Sequence, residues 1–210
     1  MRMFDNYMLE QLISRNDSFM KIEVEFYDGK STKNQIHNIS RLSFIKYLGI
    51  AGQGYKINLR GLRRALGMYL HYADFLDSSA LNNNHFSQPK NIFYDQNELN
   101  NFSSVVGKGV ADYLAKKNYN AQYTYEAVMK VNNHKIKGSR PDLLCFSQSK
   151  QFAIEAKGRS NKTISSSTIT KFKKQSKQGP INVHFSIASI SYNLFSKLKC
   201  KFHDPVNEET

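Results

Sequence analysis

The chain has 210 residues, 40% of them hydrophobic, which is enough for one sizeable core or for a compact domain with a smaller appendage. This size excludes a peptide or a mini-protein. Its 30 basic and 17 acidic side chains give a formal net charge of +13, and residues 98–210 carry most of the basic excess.

No stretch of the sequence approaches the roughly 18 consecutive apolar residues of a membrane span, and the first residues lack the apolar run of a secretory signal. We therefore expect a soluble, cytoplasmic protein with no membrane contact. The two cysteines, Cys145 and Cys200, provide neither a disulfide framework nor a zinc site. A bound metal ion would therefore need oxygen ligands.

The first ninety residues are predicted to form a hairpin followed by a helix. Residues 22–26 alternate between apolar and charged side chains and precede an Asp28-Gly29 turn, as is typical of a β-hairpin. Between residues 59 and 76, apolar side chains recur at intervals of three and four, which predicts an amphipathic helix. The glycine-rich residues 49–54 lack the features of a phosphate loop and are predicted to form a flexible connection.

Residues 78–97 are rich in Ser and Asn, which is typical of a connecting segment. We place a boundary there, between an N-terminal α+β region, residues 1–90, and a second region, residues 91–210. The elements predicted for the second region follow the order helix, three strands, helix, strand. They are a helix over 98–117, strands over 123–131, 142–146 and 152–157, a helix over 165–177, a strand over 183–190 and a last short helix over 192–198.

One pair of predicted strands carries the residues that indicate chemistry. Glu155 and Lys157 share a face of their strand, because alternate strand residues point to the same side. If the strand that begins at Asp142 pairs with this one, the carboxylates of Asp142 and Glu155 converge near the strand ends. Two such carboxylates suit a hard divalent cation such as Mg²⁺, which can neutralise a phosphodiester and activate water. This arrangement predicts phosphodiester hydrolysis, with Lys157 orienting the water.

Pro141-Asp142, twelve intervening residues and then Glu155-Ala156-Lys157 resemble the signature of the PD-(D/E)xK nuclease superfamily. Members share a restriction-endonuclease-like core and cut DNA, less often RNA, with Mg²⁺. The resemblance implies an α/β fold with a mixed central sheet flanked by helices in the order αβββαβ, here with an N-terminal α+β extension. It also implies that Asp142 and Glu155 bind Mg²⁺, for which Mn²⁺ can substitute. It offers the carbonyl of Ala156 as a third ligand and Lys157 as the residue that positions the attacking water.

The resemblance covers about residues 95–192, and some superfamily members carry another acidic residue on the helix before the strands. Glu98 is the candidate for that catalytic role, although with Asp95 it suits a helix N-terminal cap equally well. Glu126 is a second candidate, with an exposed strand residue as the alternative. Gln175 resembles a helix glutamine found beside the metal site in some branches, but the aromatic residue that usually follows it is absent.

Basic residues dominate the sequence after the motif. From residue 158 to residue 203 there are nine lysine and arginine side chains and no acidic one. A phosphate backbone that reaches the two carboxylates would lie along these residues, so we expect DNA as the partner. The residues predicted to bind DNA are Arg159, Lys162, Lys171, Lys174 and Lys177. Such contacts position a duplex without reading its bases.

Together these patterns predict a Mg²⁺-dependent endonuclease that hydrolyses DNA in restriction, defence or mobile-DNA processing. One alternative is a non-catalytic nucleic-acid-binding protein of the same fold, and another is a nuclease subunit of a larger assembly. A homodimer stays open, because cutting two strands needs two sites or two sequential nicks. Residues 1–90 are candidates for target or partner recognition, and Arg60, Arg63 and Arg64 suit either DNA contact or a solvated helix face.

Overall fold

The computed structural model of the chain describes residues 19–54, 59–88, 96–127, 130–131, 134–135, 140–178 and 182–203. Within these ranges the fold is α/β, with five helices and a mixed sheet of seven strands. The other two strands of the described residues form a separate two-stranded ribbon. No helix in this part of the chain is long and apolar enough to cross a membrane.

The strands are β1 (Phe19–Tyr27), β2 (Thr32–Ser40), β3 (Tyr123–Glu126), β4 (Lys130–Val131), β5 (His134–Lys135), β6 (Leu143–Phe146), β7 (Gln151–Gly158), β8 (Phe185–Tyr192) and β9 (Lys199–His203). The helices are α1 (Arg41–Ile50), α2 (Leu59–His71), α3 (Ser78–Asn82), α4 (Gln96–Tyr119) and α5 (Ser166–Ser176). From α4 onward the elements follow the predicted order of helix, three sheet strands, helix and strand, with the β4–β5 ribbon inserted between β3 and β6.

The strands of the large sheet follow the order β2-β1-β9-β8-β7-β6-β3. Neighbouring strands β3, β6 and β7 are antiparallel and form a meander, whereas β8 runs parallel to β7. A parallel pair requires a crossover connection, and α5 lies in the connection between β7 and β8. The sheet is therefore mixed at β7, the strand that carries the Glu-Ala-Lys run.

Helices cover both faces of the sheet around β7. On one face, Phe102 and Val110 of α4 belong to the same apolar cluster as Ile154 of β7. On the other face, Phe172 of α5 packs against β8 residues that include Ile190. Alternate residues of a strand point to opposite faces, and Ile154 faces α4. Glu155 and Lys157 therefore lie on the α5 side, where their register partners Ala188 and Ile190 contact Phe172.

The N-terminal hairpin is present as predicted and belongs to the same sheet as the later strands. β1 pairs antiparallel with β2 and parallel with β9. Ile22 of β1 is fully buried in the main apolar cluster, which also contains Ile187 of β8. The sheet and the apolar cluster therefore each contain residues from both sides of the boundary expected near residue 90.

Three local predictions differ from the structure. Residues 78–97, expected to be a connecting segment, contain helix α3. Residues 49–54 do not form a flexible connection, because α1 extends to Ile50 and the turn after it is bound to β3. The amide of Gly52 donates to Oγ1 of Thr124, and Gln53 forms an antiparallel bridge with Tyr125. The helix predicted over residues 192–198 is also wrong, because a short turn there leads into β9.

Candidate active site

The start of β6 and the end of β7 place Asp142 beside Glu155. The last antiparallel pair of these strands joins Leu143 to Ile154, so Asp142 and Glu155 are the next residue on each strand. The carbonyl of Asp142 accepts a hydrogen bond from the amide of Ala127, 3.1 Å away. This bond fixes the backbone of Asp142 against Ala127, the residue that follows β3.

Three charged side chains meet at this point, and we name Asp142, Glu155 and Lys157 the carboxylate–lysine cluster. Nζ of Lys157 lies 2.9 Å from Oδ2 of Asp142 and 2.5 Å from Oε1 of Glu155. The amide of Ala156 donates to Oδ2 of Asp142 over 3.0 Å. The convergence expected from strand alternation is therefore present, whereas the catalytic and metal-binding roles of these residues stay predictions.

Burial and neighbouring charges perturb two groups of the cluster. The pKa of Glu155 is raised to about 7, first because the carboxyl group is buried and second because Asp142 is close, while Lys157 opposes both effects. Burial alone would lower the pKa of Lys157, but its contacts with Glu155 and Asp142 outweigh burial and leave that pKa above its ordinary value. Strongly perturbed groups with charged partners are typical of functional sites.

The buried carboxylates of the described residues are bound in different ways. Asp112 accepts hydrogen bonds from Lys116 and from Oγ1 of Thr124, at 2.7 and 2.6 Å. Neither carboxylate oxygen of Glu155 accepts a hydrogen bond of good geometry, although Lys157 forms an ion pair with it. A buried carboxylate with unused acceptor capacity is suited to binding a further cation.

The donor set of the cluster is compatible with Mg²⁺. Among the described residues, no three His, Cys, Asp or Glu side chains form a group that could hold a metal ion. Mg²⁺, however, is commonly held by one or two carboxylates and retains several waters. Asp142 and Glu155 meet that requirement, and the carbonyl of Ala156 stays the predicted third ligand.

The additional candidates from the sequence occupy other positions. Oε1 of Glu98, in the first turn of α4, lies 3.6 Å from Nε2 of His71 on α2, so its carboxylate contacts another helix. Its proposed cap partner, Asp95, lies outside the described residues. Glu126 forms an ion pair with Lys108 of α4 and sits opposite Leu143 in the strand register.

The basic residues predicted to contact DNA are all exposed: Arg159, Lys162, Lys171, Lys174 and Lys177. The Phe172 ring links this surface to the cluster, because Nζ of Lys157 and Cζ of Arg159 each lie 5.7 Å from its centroid. Gln175, also on α5, is half-buried. Arg63 and Arg64 on α2 are exposed, whereas the side chain of Arg60 lies outside the described residues.

Helix α4 passes very close to the end of β7. A Cβ atom at Gly107 would lie 2.5 Å from the amide nitrogen of Gly158, and one at Gly158 would lie 1.7 Å from the carbonyl oxygen of Ser103. Only glycine permits this approach of two backbones. The N-terminal half of α4 therefore lies directly beside Lys157.

Two adjoining cavities open along this half of α4, and no pattern in the sequence indicates them. One, of about 460 Å³, is lined by Lys157, Arg159 and residues of α4. The other, of about 410 Å³, extends to Asn193 and Phe195 after β8. Glu98 lines neither cavity. No motif marks these polar residues, because they come from four separate segments that meet only in the folded chain.

Comparisons of the chain with protein-family models, curated proteins and solved structures found no match. Its function is therefore inferred from the carboxylate–lysine cluster, from the order of the strands that hold it and from the basic residues around it.

Proposed function

We propose that the chain is a Mg²⁺-dependent endonuclease that hydrolyses DNA phosphodiester bonds. The observation that carries this proposal is the carboxylate–lysine cluster, in which two carboxylates from neighbouring strands contact one lysine ammonium group. The cluster combines oxygen ligands for a hard cation with a positive group beside them. This combination suits attack by water on phosphorus, where negative charge increases in the transition state.

The order of the elements supports the same proposal. Helix α4 precedes the meander of β3, β6 and β7, and α5 leads to β8, which runs parallel to β7. This order agrees with the αβββαβ core of the PD-(D/E)xK nuclease superfamily, in which the motif lies on the second and third strands of the meander. We include the restriction-endonuclease-like core in the proposal, with β1 and β2 as an extension of the sheet beyond β9.

Each member of the cluster has a distinct role in the proposed reaction. Asp142 and Glu155 would hold Mg²⁺, which supplies charge neutralisation and an acidified bound water when present. Ala156 positions the Asp142 carboxylate through its amide, and its carbonyl is the third proposed ligand. Lys157 holds its ammonium group where it can orient water and stabilise the developing oxyanion.

The exposed basic residues around α5 support DNA as the substrate. Arg159 follows the cluster directly along the chain, and Lys171 and Lys174 continue the positive surface along α5. Lysine and arginine side chains of this kind neutralise backbone phosphates and release counterions. A strand bound along them would bring a phosphodiester to the cluster. Restriction, defence and mobile-DNA processing are the settings we propose for this activity.

One observation favours a second candidate, a nucleic-acid-binding protein without catalysis. The ammonium group of Lys157 contacts both carboxylates, so the three side chains also form an ion-pair network that needs no metal ion. In that case the basic surface would bind DNA and the cluster would only stabilise the ends of β6 and β7.

Cleavage assays separate the two candidates. The purified chain is incubated with supercoiled plasmid, linear duplex and single-stranded DNA, in Mg²⁺ or in EDTA. We expect Mg²⁺-dependent cleavage that Asp142→Ala abolishes, while DNA affinity in EDTA stays within about threefold, because metal ligands serve hydrolysis more than docking. Glu23→Ala is the matched control, since Glu23 also pairs with two lysines, Lys197 and Lys199, but lies on β1, three strands away from β7. Binding without cleavage by the wild-type chain would favour the second candidate.

A further inference from the structure

A groove runs from Lys157, the only member of the carboxylate–lysine cluster that lines it, along the N-terminal half of α4. It consists of the two adjoining cavities, which share four lining residues: Gln96, Asn100, Ser103 and Ser160. Lys157 lines one end, and Phe195 lines the other. We name this continuous recess the α4 groove. The groove and the cluster meet at Lys157, at the end of β7.

The wall of the groove opposite α4 is held by backbone hydrogen bonds. The amide of Arg159 donates to the carbonyl of Ser191 over 2.8 Å, and the amide of Asn193 donates to the carbonyl of Asn161 over the same distance. These bonds extend the pairing of β7 and β8 beyond the strand ends. Because the glycine contacts fix α4 against β7 as well, the groove is preformed rather than assembled by a ligand.

The lining chemistry suits a nucleotide. Of the described residues that line the groove, none is acidic, and most carry a side-chain amide or hydroxyl group. Asn100 and Asn193 can hydrogen-bond base edges, while Lys162 and Arg159 can pair with phosphate oxygens. Phe195 is half-buried and packs on the core through Phe102, with ring centroids 6.4 Å apart. Aromatic faces beside a cationic groove are typical of sites where unpaired bases stack.

The size of the groove favours an unpaired nucleotide over a duplex as its ligand. Each cavity, about 460 and about 410 Å³, falls within the range of pockets that hold one small ligand. A base inside a duplex stays stacked and paired, so it must leave the helix before a pocket of this kind can hold it. A strand that is already unpaired can enter without that cost.

From these observations we infer that the α4 groove binds unpaired nucleotides of the DNA strand next to the phosphodiester at the cluster. The inference rests on the proposed function, and it specifies the substrate class: DNA with a single-stranded segment at a duplex end, gap or flap. The exposed lysines of α5 would then contact the duplex, and the groove would contact the single strand.

The test measures binding in EDTA, so that its result does not depend on hydrolysis. A fluorescent duplex with blunt ends is compared by anisotropy with the same duplex carrying a single-stranded tail. Asn100→Trp fills the groove, and Asn101→Trp places the same bulk one position along α4, on an exposed residue that lines neither cavity. The double variant Gln96→Ala with Asn100→Ala removes two amides without adding bulk, and serves if the Trp variant does not fold.

We expect the wild-type chain and Asn101→Trp to bind the tailed duplex about tenfold more tightly than the blunt duplex, an effect comparable with stacking of one base. Asn100→Trp and the double variant should bind both duplexes equally. Equal affinities for the wild-type chain, or a tail preference that survives in Asn100→Trp, would overturn the inference. A tail preference without Mg²⁺-dependent cleavage of either duplex would instead contradict the nuclease and leave the groove assignment intact.

Discussion

The ammonium group of Lys157 contacts both Asp142 and Glu155, the two carboxylates proposed to bind a metal ion. It lies within 2.9 Å of an oxygen of each carboxylate, so it acts as an internal counter-ion in the metal-free chain. Two carboxylates this close repel each other, and the ammonium group offsets that repulsion. A metal ion bound by the same carboxylates would share the site with this positive charge.

Removing Lys157 should therefore separate catalysis from metal binding. We expect Lys157→Ala to lower single-turnover cleavage at saturating DNA by orders of magnitude, because it removes charge stabilisation in the transition state. Metal affinity should stay the same or rise, since the substitution removes a cation beside a dication. A metal titration measures the second effect. If Lys157 were only a solvated strand residue, Lys157→Ala would cut DNA normally and change stability by about 0.5 kcal/mol or less.

Glu155 should make the stability of the metal-free chain depend on pH. Its pKa is about 7 in the folded chain and near the ordinary 4.5 when unfolded. Below pH 4.5 the Glu155 carboxyl group is protonated in both the folded and the unfolded chain. As the pH rises from 4.5 to about 7, the carboxyl group ionises in the unfolded chain first. The free energy of unfolding therefore falls over this range, by up to about 3 kcal/mol. Glu155→Gln cannot ionise and should gain stability relative to the wild-type chain over this interval.

Urea unfolding in EDTA near pH 5 and near pH 8 measures this difference. Comparing the wild-type chain with Glu155→Gln at each pH removes the contribution of the other titratable groups, which are the same in both chains. A stability difference that is the same at both pH values would show that the Glu155 carboxylate is not destabilised by its surroundings.

The contact between α4 and β7 sets the position of the groove and of the cluster end of β7. Gly107→Ala would place a Cβ atom 2.5 Å from backbone atoms of Lys157 and Gly158, so α4 must move away from the strand. We expect this variant to lose about 1 to 3 kcal/mol of unfolding free energy and to cut DNA more slowly. Gly67→Ala on α2 is the matched control, because no atom lies within 4 Å of its added Cβ.

The control should gain about 0.5 to 1 kcal/mol, since alanine is the better helix former. Thermal unfolding and cleavage rates of both variants provide the comparison. Equal stability changes in Gly107→Ala and Gly67→Ala would contradict the close packing of α4 on β7.

Helix α5 is the element predicted to bind the duplex. Replacing Lys171, Lys174 and Lys177 with Gln should weaken binding to all DNA sequences alike and reduce the log–log salt slope by about 0.9 for each phosphate that the variant no longer neutralises. Replacing Lys30, Lys33 and Lys117, which are also exposed, is the charge-matched control and should leave the slope nearly unchanged. Equal slopes for both triple variants would show that α5 is only a solvated face.

Most helices and strands of the fold can be predicted from the sequence, because their apolar side chains recur with the period of a helix or of a strand. Helix α5 begins after a Ser165 cap and matches its predicted span within two residues. Helix α1 escapes prediction because its apolar residues are not confined to one stripe. Strand β9 is also absent from the predicted elements, although Lys199, Lys201 and His203 alternate with the buried Cys200 and Phe202, a pattern that indicates a strand.

The sequence predicts the carboxylate–lysine cluster but not the α4 groove. The spacing of Asp142, Glu155 and Lys157 determines which face each occupies once their strands pair. The α4 groove depends instead on the approach of Gly107 to Gly158 and on loops that follow two different strands. Such long-range contacts leave no period in the sequence, so no local pattern predicts them.

At the scale of the whole molecule, the hairpin and the later strands share one core. β1 pairs with β9, whose Lys201 bonds to Glu25 across 176 positions of the chain, and Ile22 is fully buried in the cluster that also contains Ile187. We expect one cooperative unfolding transition. Ile22→Ala and Ile187→Ala should each lower its free energy by about 2 to 5 kcal/mol.

Urea unfolding followed by two probes, circular dichroism and tyrosine fluorescence, checks this expectation. Both variants should shift the same transition, with coincident curves for the two probes. Two separate transitions, of which Ile22→Ala shifted only one, would show that the N-terminal residues fold as an independent domain.

Single-turnover DNA cleavage by the wild-type chain and by Glu155→Gln, in saturating Mg²⁺, tests the proposed activity most directly. The substitution keeps the shape of a fully buried side chain and removes its negative charge. If the carboxylate–lysine cluster binds the metal ion for hydrolysis, the wild-type chain cuts DNA only with Mg²⁺, and Glu155→Gln loses cleavage while still binding DNA. Equal cleavage by both chains, or cleavage by the wild-type chain that persists in EDTA, would contradict the assignment of this cluster as the active site.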